Sequence, residues 1–128
     1  MYYNLFLDDQ RSPKNVTWVN LPPVQWVVVR NYTEFVKTIT ENGLPERISF
    51  DHDLAEQHYS LVGRTIEEYR QLESTFTEKT GYDCAKWLVR YCALNKLPIP
   101  HYTVHSMNPI GKNNIISLLE SYKKSLTS

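Results

Sequence analysis

Ile48-Ser49-Phe50-Asp51-His52-Asp53-Leu54 is a short apolar run that ends abruptly in two acids flanking a histidine. The run predicts a buried strand. Its tip must be solvated, paired or metal-bound, because burying unpaired charge is costly. The same ending recurs twice. Leu5-Phe6-Leu7 runs into Asp8-Asp9, and a third strand ends in Val104-His105-Ser106. Three apolar strands with polar tips predict one site at one edge of one sheet.

Outward from that stretch, residues 3–7 are mostly apolar, as expected of a central strand buried on both faces. Pro13, Pro22 and Pro23 make 10–24 a poor helix and an irregular crossover. Trp26–Val29 is a second strand. Thr33 is the expected N-cap of the helix that follows, with Phe35, Val36 and Ile39 as its apolar stripe. Asn42-Gly43 stops that helix before the strand at 47–50. Residues 54–79 form a polar insert, either a lid or a surface excursion. Within it Thr65-Ile66-Glu67-Glu68 has capping-box form, and Ile66, Tyr69 and Leu72 line a short helix. Thr80–Asn95 is the clearest helix, with Cys84, Leu88, Tyr91 and Cys92 on one face. A strand at 102–105 leads to Asn108-Pro109, an N-cap followed by Pro at the first helical position, and a last helix over about 109–125. This order predicts a three-layer α/β fold with a short, mainly parallel four-stranded sheet. In such sheets ligands bind outside the carboxyl ends of the strands.

With 128 residues and 41% hydrophobic content, the chain is expected to be a single domain with a real core. Lys plus Arg and Asp plus Glu stand at 14 each, which argues against generic duplex nucleic-acid or membrane-surface binding. No apolar run approaches the roughly 20 residues of a membrane span, and no basic leader precedes the first strand. Cys84 and Cys92 sit eight apart on one helix, about 12 Å by helical rise, too far for a disulfide. Two buried thiols fit a reducing cytoplasm.

Leu5-Phe6-Leu7-Asp8-Asp9-Gln10-Arg11-Ser12-Pro13, Ser49-Phe50-Asp51-His52-Asp53-Leu54, Thr80-Gly81-Tyr82-Asp83 and Val104-His105-Ser106-Met107-Asn108-Pro109-Ile110-Gly111 together resemble the cyclic-phosphate-processing receiver-like family. That family is a divergent branch of the response-regulator receiver fold, and the resemblance covers nearly the whole chain. It implies a flavodoxin-like sheet and action on a small nucleotide or RNA-end cyclic phosphate. It also implies that Asp8, Asp9 and Asp51 hold a divalent metal, and Ser106 matches the hydroxyl residue after the fourth receiver strand. The departures from an ordinary receiver are instructive. A fifth strand with its lysine is not found, the first crossover helix is lost, and His52, Asp53 and His105 stand at the tips instead. They shift the expectation from aspartyl-phosphate signalling to direct chemistry on a bound phosphate.

Several carboxylates at one edge suit Mg²⁺ or Mn²⁺. His52 or His105 can supply a proton near neutral pH, with Asp53 orienting His52. The N-terminus of the last helix, with Ser106, Asn108 and Lys112, can hold a phosphate. Arg11 either clamps that phosphate or pairs with Asp8 or Asp9. Plainer readings stand beside these. Asp9 can cap a turn, His105 can be a satisfied core imidazole, Asp83 caps a helix, and His58 is a loop residue. Strand alternation sends Asp51 and Asp53 to one side and His52 to the other, unless the backbone turns at Asp51. His101-Tyr102-Thr103 has one half of a two-histidine phosphoesterase signature, but a second copy is not found. The expectation is therefore a metal-dependent hydrolase of a cyclic phosphate or related phosphoester. The alternative is a non-catalytic, degenerate receiver that binds a nucleotide or a protein.

Overall fold

The computed structural model describes residues 2–54, 64–73 and 79–127. Strands β1 (Asn4–Leu7), β2 (Trp26–Val29), β3 (Arg47–Phe50) and β4 (His101–Val104) form one sheet in the order β2-β1-β3-β4, and every pair is parallel. The helices among the described residues are α1 (Tyr32–Asn42), α2 (Ile66–Glu73), α3 (Gly81–Asn95) and α4 (Pro109–Thr127). The expected α/β receiver-like architecture is present. Of the predicted insert at 54–79, the structure describes residues 54, 64–73 and 79; His58 lies outside the described residues.

The layering follows from alternation along the strands. Leu5, Leu7, Val29, Ile48, Phe50 and Val104 face one side and pack with Phe35, Ile39, Leu88, Ile115 and Leu119 into the main core. Each such side chain contributes about 1.5–3 kcal/mol when fully buried. Right-handed crossovers from β2 to β3 and from β3 to β4 put α1 and α3 on that face, and α3 packs against both α1 and α4. Phe6 and Ser49, partners in the β1–β3 register, alternate to the other side. Phe6 is fully buried yet outside the main core, edge-on to Trp26. The connection from β1 to β2 runs the opposite way across the sheet, so it lands on this second face. It carries only a 3₁₀ turn at Pro13–Asn15, and Ser12, Val16, Leu21 and Pro22 border Trp26 there. The third layer is thus a proline-stiffened crossover rather than an α-helix.

Local chemistry accounts for the helix ends. Thr80 and Asp83 form a reciprocal capping box, with Thr80 N–H donating to Asp83 Oδ2 at 2.8 Å and Asp83 N–H to Thr80 Oγ1 at 3.3 Å. Thr65 and Glu68 do the same for α2, at 3.2 Å each way. The cap of α1 corrects the sequence expectation. Asn31, not Thr33, accepts the Glu34 N–H at 2.9 Å, because helical geometry already begins at Tyr32. Strand and helix bounds otherwise shift by one or two residues. Cys84 and Cys92 are buried free thiols, and burial raises both, Cys92 to about 11. No helix among the described residues is long and apolar enough to cross a membrane.

Candidate functional site

Strand register creates the site. Leu7 pairs with Val29 on one side and Phe50 on the other, and Phe50 pairs with Val104. The next residue of each strand, Asp8, Arg30, Asp51 and His105, therefore lies in one row. The ladder continues through it: Asp8 N–H donates to Val29 O, Asp51 N–H to Leu7 O and His105 N–H to Phe50 O, at 3.1, 2.9 and 2.9 Å. Leu7, Phe50 and Val104 point into the helical core, so alternation turns Asp8, Asp51 and His105 to the crossover face. Their ligand atoms lie within 4.8 Å of one another, and all three residues are buried.

His105 is held on both ring nitrogens. Its Nδ1 is 2.7 Å from Ser49 Oγ, and its Nε2 is 3.0 Å from Asp8 Oδ2. A carboxylate only accepts, so Nε2 carries the proton and Nδ1 accepts from the Ser49 hydroxyl. The ring also stacks on Phe6, with centroids 4.5 Å apart. Burial pulls the His105 imidazole below its usual value, more than the Asp8 carboxylate raises it. Burial pushes Asp8 up, but the bond from His105 and the backbone N–H groups of Arg11 and Gln10 hold it below the usual carboxylate range. Asp51 goes the other way. Burial, then the charges of Asp8 and Asp53, push its carboxyl up to about 7. Its Oδ1 accepts the His52 N–H at 2.9 Å, while its buried Oδ2 has no hydrogen-bond partner among the described residues.

His52 points the opposite way, as alternation predicted. Its ring is fully buried, with Nδ1 2.8 Å from Asp53 Oδ1 and Nε2 3.1 Å from the Tyr69 hydroxyl. Asn108 Nδ2 donates to both Asp53 Oδ1 and Tyr69 Oη, at 3.2 Å each, and Asn108 Oδ1 accepts the Gly111 N–H at 3.0 Å. Asp53 turns to this network, so the backbone does bend after Asp51. Two glycines let it pass. A Cβ on Gly111 would come 2.4 Å from His52 Cγ, and one on Gly81 would come 1.8 Å from the Asp51 carbonyl oxygen.

The chain matches the model of the Cyclic-phosphate processing Receiver domain over residues 3–121. It belongs to that family. No curated protein and no solved structure matches it. As a receiver domain of this family it is tied to cyclic-phosphate processing.

Of the residues singled out in this receiver domain, Asp8, Asp51 and His105 are gathered together, whereas His52 and Asp53 belong to the adjoining network. Asp9 is half-buried at the bend beyond Asp8, outside the gathered group. Arg11 reaches the group, with Nη1 3.7 Å from Asp8 Oδ2 and the side chain 32% exposed. Ser106 Oγ accepts the Asn108 N–H at 3.1 Å, so Ser106 and Asn108 shape the β4–α4 turn. Lys112 borders a groove along β4 with His101, Thr103 and Glu120. Three contributors escaped sequence reasoning. Arg30 donates from Nη1 to the Asp8 and Arg11 carbonyls at 3.1 and 2.6 Å, and its place directly after a strand was the available signal. Trp18 donates from Nε1 to the His105 carbonyl at 2.7 Å. Tyr69 was read only as a helix-lining residue, with no signal linking it to His52.

The cluster could hold a metal ion. Two carboxylates and an imidazole converge, and one buried carboxylate oxygen lacks a hydrogen-bond partner among the described residues. The crowding that raises Asp51 is what a cation would relieve.

Proposed function

We propose that the protein is a metal-dependent hydrolase of a cyclic phosphate, or a related phosphoester, carried by a nucleotide or an RNA end. The observation that supports it is the convergence of Asp8, Asp51 and His105, with the buried Asp51 Oδ2 oxygen unpartnered among the described residues. Held by Asp8 and Asp51, Mg²⁺ or Mn²⁺ would polarise phosphoryl oxygens and acidify a water. Burial keeps His105 neutral near pH 7, so it would act as a relay: the imidazole takes a proton from the acidified water, and the imidazolium so formed returns one to the departing alkoxide. Ser49 and Phe6 fix the imidazole ring for that transfer. Arg11 clamps the phosphoryl oxygens from the half-open side. His52 and Asp53 are positioning residues in this reading. They hold the backbone turn that presents Asp51.

The test is turnover of a panel of 2′,3′-cyclic nucleotides with Mg²⁺ or Mn²⁺. Activity is expected to vanish in Asp51→Asn and to fall steeply in His105→Ala. Turnover that survives both substitutions sinks the assignment. One observation favours the second reading, a non-catalytic module that binds a nucleotide or protein: both nitrogens of His105 already have partners. Calorimetry separates the two. Divalent binding that disappears in Asp51→Asn supports the hydrolase, and absence of metal and nucleotide binding supports the module.

A further inference from the structure

The crossover places an exposed aromatic ledge directly beside the cluster. Trp18 is 38% exposed and Met107 is 64% exposed. Trp18 thus keeps over a third of its surface open beside the cluster, and neither residue belongs to the hydrophobic core. The open ring is held in place. The Trp18 Nε1–H is bonded at 2.7 Å to the carbonyl of His105, whose own ring lies in the cluster. Arg11 joins the two regions. Its guanidinium lies 5.1 Å over the Trp18 ring, 3.7 Å from Met107 Sδ and 3.7 Å from Asp8 Oδ2. One side chain thus spans from the carboxylates to an indole and a polarisable thioether, both of which favour flat π-systems.

We propose that Trp18, with Met107, is a stacking subsite for a nucleobase, so that the phosphate processed at the cluster is borne by a nucleoside rather than by a bare sugar. This deepens the hydrolase reading and rests on it. Arg11 meets the phosphate while the base lies on the ledge. Stacking tolerates every base, so the subsite selects for the presence of a base and not for its identity. Trp18 is a specificity residue here, not a catalytic one.

Calorimetry on the full chain with Mg²⁺ tests it, using uridine 2′,3′-cyclic phosphate and the base-free ribose 2′,3′-cyclic phosphate. The wild-type protein is expected to bind the base-bearing ligand about 5- to 150-fold more tightly, the usual range for one base stacked on an aromatic ring. Trp18→Ala removes that preference, read as the ratio of the two affinities. Trp18→Phe, which keeps a ring but loses the Nε1 donor, restores much of it. Met107→Ala, at a largely exposed position, reduces the preference in part. Equal affinity of the wild-type protein for the two ligands overturns the subsite and leaves the hydrolase reading intact. So does a Trp18→Ala protein that weakens both ligands alike. Failure of the wild-type protein to bind either ligand overturns both ideas together.

Discussion

Asp51 and His52 are adjacent in the chain and sit in opposite kinds of surroundings. On the crossover face, Asp51 lies buried beside Asp8, carries an oxygen with no partner among the described residues and has its carboxyl raised to about 7. On the helix face, His52, Asp53, Tyr69 and Asn108 are joined to one another by hydrogen bonds. Both regions are buried and polar. Satisfied polar groups hold a fold in one arrangement. Unsatisfied, like-charged ones wait for something to neutralise them, and perturbed carboxyls of this kind concentrate at functional sites. The difference separates a site from its scaffold more cleanly than residue type does, since each region contains a histidine and an aspartate.

That contrast can be broken by substitution. Beside the loss of activity in Asp51→Asn, the largest effect is expected at His105. His105→Gln lowers turnover about 10²- to 10⁴-fold, the usual contribution of a positioned acid or base, while Mn²⁺ binding by calorimetry persists. Joint loss of metal affinity would instead make His105 a ligand.

The next effect is on the pH dependence of metal-free stability. Folding raises the Asp51 carboxyl from its ordinary 3.8 to about 7. Between those values the folded protein keeps a proton that the unfolded chain releases. Stability therefore falls as pH rises from about 4 through about 7, by at most about 4 kcal/mol at roughly 1.4 kcal/mol per unit. Thermal melts in chelator should show this slope. Asp51→Asn should flatten it and melt higher than the parent above pH 7, even though it is inactive. Added Mn²⁺ should reverse that ranking. An unchanged slope in Asp51→Asn removes the premise that this carboxyl is crowded.

On the other side of the comparison, Gly81→Ala and Gly111→Ala press a methyl into the Asp51 carbonyl and the His52 ring. Each is expected to cost about 1–3 kcal/mol, as overpacking does, read as a lower denaturant midpoint. The smallest effect belongs to Tyr69→Phe. Losing its hydroxyl from the His52–Asn108 set costs about 1 kcal/mol of stability and leaves turnover near that of the parent. A large loss of turnover without loss of stability would move the His52 network into the chemistry.

Much of this was legible before any coordinates. Asp8, Asp51 and His105 each follow an apolar run directly, and parallel strands of equal length, four residues each, align what comes next. Arg30 obeyed the same rule after β2 and was passed over because a lone arginine reads as a solvated charge. Thr33 was favoured over Asn31 as a cap because both residue types cap well, and only backbone geometry discriminates between them. The Asp53–His52 pairing was expected, whereas the bend after Asp51 that brings it about was left open. That bend depends on Gly81 and Gly111, 30 and 60 residues downstream, leaving room for it.

Residue order alone determined the four strands, the parallel sheet and the carboxyl-edge location of the acids, because hydrophobic period and proline placement act locally. Tertiary structure decided which groups meet. Register set Asp8 beside His105, crossover handedness put Trp18 over the His105 carbonyl, and the fit of α2 and α4 around His52 closed its network. Distances between residues 97 apart in sequence depend on every packed layer between them, and no local pattern encodes them.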